Sequence, residues 1–276
     1  MENMEEIYVE ALKVSNKISE RAIREAIKDL GLFAGAKVLD VPCGIGNHIS
    51  WMLDENDKIS ITGIDIGKKQ LAYAKNLLAE KHPDANYKFQ ENDINKLELE
   101  DNYFDFIWCC DGLWPGPPEM GCLAEEPYDI LKDFIRIAKP GAKIVVVFWS
   151  SQKILSGYPY LESALNNTRT ANRPFREKGN PDLHILRTPA WFKKVGLDKI
   201  TVKSYAADIY NVNPDMFSVM PLLFKMFWSQ AKSEVSEEIW QQYTDIINPK
   251  SENYLLKDDC YTGLMTYTTY IATVEK

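Results

Sequence analysis

What this chain of 276 residues lacks narrows it first. It has no block of positive charge: 40 acidic residues outweigh 32 lysines and arginines, for a net charge of −8. Nothing in it would track a phosphate backbone, so nucleic acid is not expected as a partner. Histidines number three, and the five cysteines are an odd set without a C-x-x-C pair. That composition suits neither a disulfide framework nor a zinc site, so no metal is expected and a reducing cytoplasm fits best. Long apolar runs are missing too. The longest, VMPLLFKMFW at 219–228, is broken by Pro221 and Lys225 and is too short to span a bilayer. The opening MENMEEIYVE is acidic and has no apolar h-region, so no signal peptide is expected there.

What is present reads as one domain over 1–276, with 45% hydrophobic and 26% charged residues, ordinary values for a globular chain. An N-terminal helical segment, 1–32, carries a helix capped by Ser19 and closed by Gly31. Strand and helix then alternate. Strands are expected at 37–41, 59–66, 86–94, 104–111 and 143–149, and helices after the glycine turn, over 68–81 and over 126–138. The near-continuous apolar run KIVVVFW suits a strand covered on both faces. Such alternation predicts a parallel sheet with right-handed crossovers and ligands at the carboxyl ends of its strands. Two stretches break the pattern. Residues 150–187 read as irregular with one short helix, and 207–262 as helical and rich in aromatics. Both are taken as insertions covering the strand ends, and 207–262 as either a lid over the acceptor or a homo-oligomer interface.

The first strand runs into VLDVPCGIGNH (38–48), a glycine turn where a backbone can approach a ligand closely. A dinucleotide G-x-G-x-x-G would need glycines at 44, 46 and 49, but position 49 is Ile. No P-loop pattern is present. Asp65 ends the second strand, where a carboxylate can accept both hydroxyls of a ribose. A further acid follows in END (91–93), at the end of the third strand, where it can read an adenine edge.

Together DVPCGIG, Asp65-Ile66, Asn92-Asp93-Ile94, FDFIW and AKPGAKIVVV resemble the class I S-adenosylmethionine-dependent methyltransferases. Within that class the chain is most similar to the ubiquinone/menaquinone C-methyltransferase-like branch. The resemblance covers 33–149, and extends to 188–206 and 263–276 as the last helix and strands. It implies an α/β fold: a doubly wound, mostly parallel seven-stranded sheet, Rossmann-like, with a reversed last strand. It implies S-adenosyl-L-methionine as cofactor, S-adenosyl-L-homocysteine as product and a small-molecule methyl acceptor. Carried over residue by residue, the turn with Asp40, Pro42, Gly44 and Gly46 would hold the methionine moiety. Asp65 would bind the ribose, Ile66 would pack on the adenine, Gln70 would join the cofactor site, and Asp93 with Ile94 would read the adenine edge. The chain departs from the family at Pro42, where glycine is commoner, and at Gly67, where serine is common.

Strand four ends in CCDGLWPGPPEMGC (109–122), which faces the transferred methyl in that fold. Asp111 is the first candidate to contact the cofactor or take an acceptor proton, and Tyr8, from the N-terminal segment, the second. Trp114 would wall the acceptor pocket. His48 reads as a packed or capping residue, Asp105 as structural, and Cys109–Cys110 as strand packing. Two other functions stay open at this level: a nicotinamide-dependent oxidoreductase, disfavoured by Ile49, and a non-catalytic nucleoside-binding protein of the same fold.

Overall fold

The computed structural model describes residues 4–116, 122, 125–168, 180–210 and 214–276. The tip of the Pro-rich loop (117–121) and part of the first insertion (169–179) lie outside these residues. The strands are β1 (Lys37–Asp40), β2 (Ser60–Asp65), β3 (Asn86–Glu91), β4 (Phe104–Cys110), β5 (Ala138–Lys153), β6 (Ile200–Ile209) and β7 (Gly263–Thr273). They form one seven-stranded sheet in the order β3-β2-β1-β4-β5-β7-β6. Strands β1 to β5 pair in parallel, and β7 runs antiparallel to both β5 and β6, so the reversed last strand is present as expected. Strand order reverses between β1 and β4. A crevice opens at that switch point beyond the carboxyl ends, and the glycine turn sits in it.

Because side chains alternate along a strand, each face of the sheet gets its own core. One face carries Val38, Trp108, Val145 and Val147 against the helices α1 (Met4–Asp29), α2 (Asn47–Glu55) and α3 (Lys68–Lys81). The other carries Leu39, Ile107, Ile144, Val146 and Phe148 against α4 (Tyr128–Ile137) and α6 (Thr188–Lys194).

Two boundaries differ from the sequence reading. Helix α1 starts at Met4, so Ser19 lies inside it rather than at its cap. The helical spacing of Ile18 and Val14 continues to Ala11 toward the N-terminus, and neither Gly nor Pro interrupts it. Ser19 is buried, and its hydroxyl turns back onto the Asn16 carbonyl at 3.4 Å. Strand β5 runs through Lys139-Pro140-Gly141, where Ala138 pairs with Phe104 and the Gly141 N–H donates to the Val274 carbonyl, and on to Lys153, because its ladder with β7 extends to Lys153–Leu264.

The expected short helix of the first insertion is α5 (Pro159–Asn166). The second insertion holds α7 (Pro214–Trp228) and α8 (Glu237–Ile246). Phe224, Trp228 and Tyr243 are fully buried there. The Trp228 indole donates to Asn166 Oδ1 at 3.0 Å and the Tyr243 hydroxyl to the Phe224 carbonyl at 2.9 Å. Phe227 stacks on Trp149 of β5 with ring centroids 4.3 Å apart. The two insertions thus extend the α1-side core. Among the described residues, no helix is long and apolar enough to cross a membrane.

Candidate active site

A cleft of about 100 Å³ lies between α1 and the carboxyl ends of β1, β2 and β4. Its floor is the turn from Pro42 to His48, its sides are Asp65, Cys110 and Asp111, and α1 covers it with Tyr8, Leu12, Asn16 and Ser19. Tyr267 of β7 closes the inner end. Two of these side chains are carboxylates, and among the described residues no lysine or arginine joins them. None of the described residues of 150–187 or 207–262 lines the cleft.

The two glycines of the turn have different neighbours. Both need a left-handed backbone, with φ of 51° at Gly44 and 81° at Gly46. A Cβ at Gly46 would stand 2.8 Å from Ala74 Cβ and 3.2 Å from its Cα, so Gly46 lets α3 pack against the turn. A Cβ at Gly44 would point into the cleft, where the nearest atom is Leu12 Cδ1 at 3.3 Å. Gly44 therefore fits close ligand approach, and Gly46 serves helix packing. The Val41–Pro42 peptide bond is cis.

Asp65 fastens the end of β2 to this turn. Its Oδ2 accepts the Gly44 N–H and its Oδ1 the Gly67 N–H, both at 2.8 Å. Burial raises its pKa, and these backbone donors pull the other way. Each carboxylate oxygen retains a lone pair for a further donor. Asp40 lies behind, fully buried, and neither of its oxygens has a hydrogen-bond partner among the described residues. Desolvation, then the Asp65 charge, push its carboxyl well above the usual range. A buried unpartnered carboxylate is costly unless a ligand brings donors or positive charge.

Asp111 has a left-handed backbone, φ 50°, where non-glycine residues are uncommon. It is clamped across the mouth of the sheet. Its N–H donates to the Val147 carbonyl at 2.8 Å, and its Oδ1 accepts the Trp149 N–H at 2.9 Å. The Trp114 indole and the Cys110 thiol also bond its carboxylate. Its side chain is open to the cleft but surrounded by protein, and that desolvation raises its pKa to about 6. Trp114 therefore stands behind Asp111, packed edge-on against Phe148 at 5.2 Å, and is not in the cleft wall.

His48 is packed, as expected, and also faces the cleft. The Trp108 indole donates to its Nδ1 at 3.2 Å. An indole N–H can only donate, so Nδ1 accepts and the ring proton sits on Nε2. Burial lowers its pKa to about 4, which keeps the ring neutral. Tyr8 feels burial first and then the charges of Asp65 and Asp111, all of which raise its pKa. Burial, and then Asp111 and Cys110, push Tyr267 well up, while Ser19 bonds its hydroxyl.

The remaining candidates lie at the rim or behind it. Ile66 is exposed beside Asp65. The buried Gln70 side chain folds over Gly67, filling the space a serine would take, and its Oε1 has no partner among the described residues. Asp93 is exposed, with Oδ1 receiving the backbone and side-chain N–H groups of Asn95, each at 2.9 Å. The Ile94 side chain is committed to the core beside Leu39 and Ile64. Asp105 is structural, accepting the Lys37 N–H at 2.8 Å and pairing with Lys139.

Sequence reasoning missed Leu12, Asn16, Ser19 and Tyr267. The first three recur with Tyr8 at helical spacing, a signal hidden once the helix was begun at Ser19. Tyr267 reaches the cleft only through the β5–β7 pairing, which no local pattern encodes.

The family described as a methyltransferase domain matches residues 32–184. A cyanobacterial 2-methyl-6-phytyl-1,4-hydroquinone methyltransferase from Synechocystis is 33% identical over 43% of this chain, and the match spans only 33% of that relative's length. A demethylmenaquinone methyltransferase from Oceanobacillus iheyensis is 26% identical over 67% of this chain and 79% of its own. Among solved structures, a Haemonchus contortus phosphoethanolamine N-methyltransferase holding S-adenosylhomocysteine superposes with a TM-score of 0.52 at 17% identity. It covers 92% of this chain and 52% of the other, a likeness of fold.

The chain belongs to the methyltransferase domain family. It is an S-adenosylmethionine-dependent methyltransferase, with S-adenosylmethionine as its cofactor.

Proposed function

We propose that this cleft binds S-adenosylmethionine with Asp65 on the ribose, and transfers its methyl to a small acceptor that carries neither phosphate nor carboxylate. The observation that carries the reading is the pair Asp40 and Asp65: a buried carboxylate without partners behind a second one tied to the glycine turn. They suit a ligand that brings ribose hydroxyls and positive charge into one crevice. The exposed Ile66 is free to cover an adenine, and the open space at Gly44 admits the methionine end. An acceptor without anionic groups is supported by a lining that has two carboxylates and, among the described residues, no cationic side chain. The two relatives named above, of a hydroquinone and a menaquinone precursor, support a ring compound. Five free cysteines support a reducing compartment such as the cytoplasm.

The bound cofactor supplies an activated methyl on a positively charged sulfur. The chain's own residues do the rest. They exclude water, and they align the acceptor, which can be worth roughly 7–11 kcal/mol. Asp111 is placed to receive a proton, and a pKa near neutrality suits that work. Tyr8 covers the cleft from α1, and its raised pKa keeps it protonated, as a donor rather than a base.

Calorimetry with S-adenosylhomocysteine and with NAD tests the reading. Binding of the first and not the second is expected. Asp65→Ala should weaken it by about 1.5–3 kcal/mol, ten-fold or more. Unchanged affinity in a folded variant would remove Asp65 from the ribose.

A further inference from the structure

Helix α1 is built in two halves. From Ile18 onward its inward residues belong to the core: Ile18, Ala22, Ile23, Ala26 and Ile27 are at most 3% exposed. Arg24 pairs with Asp54 of α2 at 2.9 Å and lies over the Trp51 ring, and Asp29 accepts the Tyr205 hydroxyl of β6 at 2.8 Å. Before Ile18 the packing thins. Leu12, Val14, Ser15 and Asn16 are half-buried, and Val9 is the one buried side chain among those described. Yet this half carries Tyr8, Leu12 and Asn16, the helically spaced stripe that covers the cleft. Its hold on α3 is polar and exposed. Glu6 pairs with Lys69, their side chains 63% and 35% exposed, and the Lys13 ammonium lies over the Tyr73 ring at 4.7 Å. Lys69 and Tyr73 stand one turn apart on α3, and Glu6 and Lys13 two turns apart on one face of α1.

The halves meet at two serines. Ser15 turns its hydroxyl back onto the Leu12 carbonyl at 3.1 Å, and Ser19 onto the Asn16 carbonyl at 3.4 Å. A hydroxyl that shares a helical carbonyl in this way weakens the ladder and often bends the helix. Ser19 is held on the fixed side, where it bonds the Tyr267 hydroxyl. The cleft beneath is small. Its volume of about 100 Å³ falls well below the roughly 300–1,000 Å³ of pockets that enclose a small-molecule ligand. A nucleoside joined to an amino acid does not fit under α1 in this position.

We propose that residues 4–15 of α1 form a lid that hinges at 15–19, and that the Glu6–Lys69 ion pair and the Lys13–Tyr73 contact latch it onto α3. The inference rests on the reading that the cleft takes S-adenosylmethionine, and adds how the cofactor enters. The sheet cannot make room: Asp65 fastens the glycine turn, and Tyr267 is buried in a strand paired on both sides. The lid can, because its latch is an exposed ion pair and a cation–π contact. An exposed pair is weak and is screened by salt. Cofactor entry is therefore gated by ionic strength, through residues that touch none of the reacting atoms.

Stopped-flow association of S-adenosylhomocysteine with the full chain tests the lid. This ligand has no sulfonium, so the acidity of the cleft does not steer it and salt acts on the latch. Association with the parent should quicken as salt rises from about 0.05 to 0.5 M. Lys69→Ala should bind about two- to five-fold faster at low salt and lose most of the salt effect. Lys68→Ala removes the same charge one position away, from a lysine that pairs with Glu91 instead, and should behave as the parent does. In hydrogen exchange, amides of residues 8–17 should exchange faster than those of 20–29, and S-adenosylhomocysteine should slow them. Equal rates in the parent and Lys69→Ala, or equal acceleration by Lys68→Ala, overturn the lid. So does exchange at 8–17 that S-adenosylhomocysteine leaves unchanged. A parent chain that fails to bind S-adenosylhomocysteine at all would instead overturn the functional reading beneath it.

Discussion

Trp108 donates its indole N–H to His48 Nδ1 at 3.2 Å, and so decides which nitrogen of a cleft-wall histidine carries the proton. The bond joins β4 to α2 directly beneath the glycine turn, and burial holds the ring neutral. The native ring takes a proton only near pH 4, whereas the unfolded chain takes it near 6.5. Between those values the unfolded state binds more protons, so this histidine's contribution is whole above pH 6.5 and is lost toward pH 4. His48→Gln should therefore lose less stability than the parent between pH 7 and 4.5, by on the order of 2–3 kcal/mol. Urea denaturation at the two pH values measures the difference. Trp108→Phe should move the His48 titration upward, as followed by NMR.

The two turn glycines should separate fold from ligand. Gly46→Ala sets a methyl against the Ala74 backbone and should cost about 1–3 kcal/mol in thermal or chemical denaturation. Gly44→Ala meets only the movable tip of Leu12, so it should cost only the left-handed backbone strain of about 1 kcal/mol while weakening S-adenosylhomocysteine binding. Equal effects on both readouts at both positions would count against this division.

Asp111 should impose a pH limit on turnover. With a folded pKa near 6, its basic form is lost as pH falls, so kcat should climb through about pH 6 and level off above it. Asp111→Asn should be slower by about 10²–10⁴-fold and should lose that inflection. The sign for stability is opposite. The native carboxyl binds its proton more readily than the unfolded one, so its ionisation costs stability as pH rises from 3.8 to about 6. Asp111→Asn should accordingly be no less stable than the parent at pH 8, which differential scanning calorimetry would show.

Trp228 tests what the helices of 207–262 do for the fold. It is wholly buried, against Phe227 and Tyr243. Trp228→Ala should cost about 3–5 kcal/mol. A change near zero would mean that α7 is dispensable to the core.

The sheet was legible because each strand is announced locally: apolar runs at KVLDV and KIVVVFW, an acid at the end of β2, and lysine-proline-glycine after α4. The strand-end side of the cleft was legible for the same reason, since Asp40, Gly44 and Asp65, the residues proposed for the cofactor, all lie within a few residues of strand ends. The α1 and β7 side of the cleft was not. Tyr267 lies 156 positions after Asp111 and is brought beside it by the antiparallel β7–β5 and parallel β5–β4 ladders, and the α1 stripe appears only when the helix is extended back to Met4. The role of Gly46 was missed because spacing cannot distinguish a glycine that faces a ligand from one that faces Ala74.

The unpartnered Asp40 bears on the end of the catalytic cycle as well as its start. Burial favours the proton on Asp40, so its carboxyl ionises most readily beside a cation. Asp65 and Asp111 line the crevice with no cationic side chain among the described residues, and on the proposed reading this acidity attracts a sulfonium. Methyl transfer turns that sulfonium into a neutral thioether. On the proposed reading, the attraction that drew the cofactor in is then switched off by the reaction itself, while the ribose and adenine contacts would persist. Product departure is thus favoured by the site's own acidity, and an added lysine near Asp40 would trade faster exchange for retention of the spent cofactor.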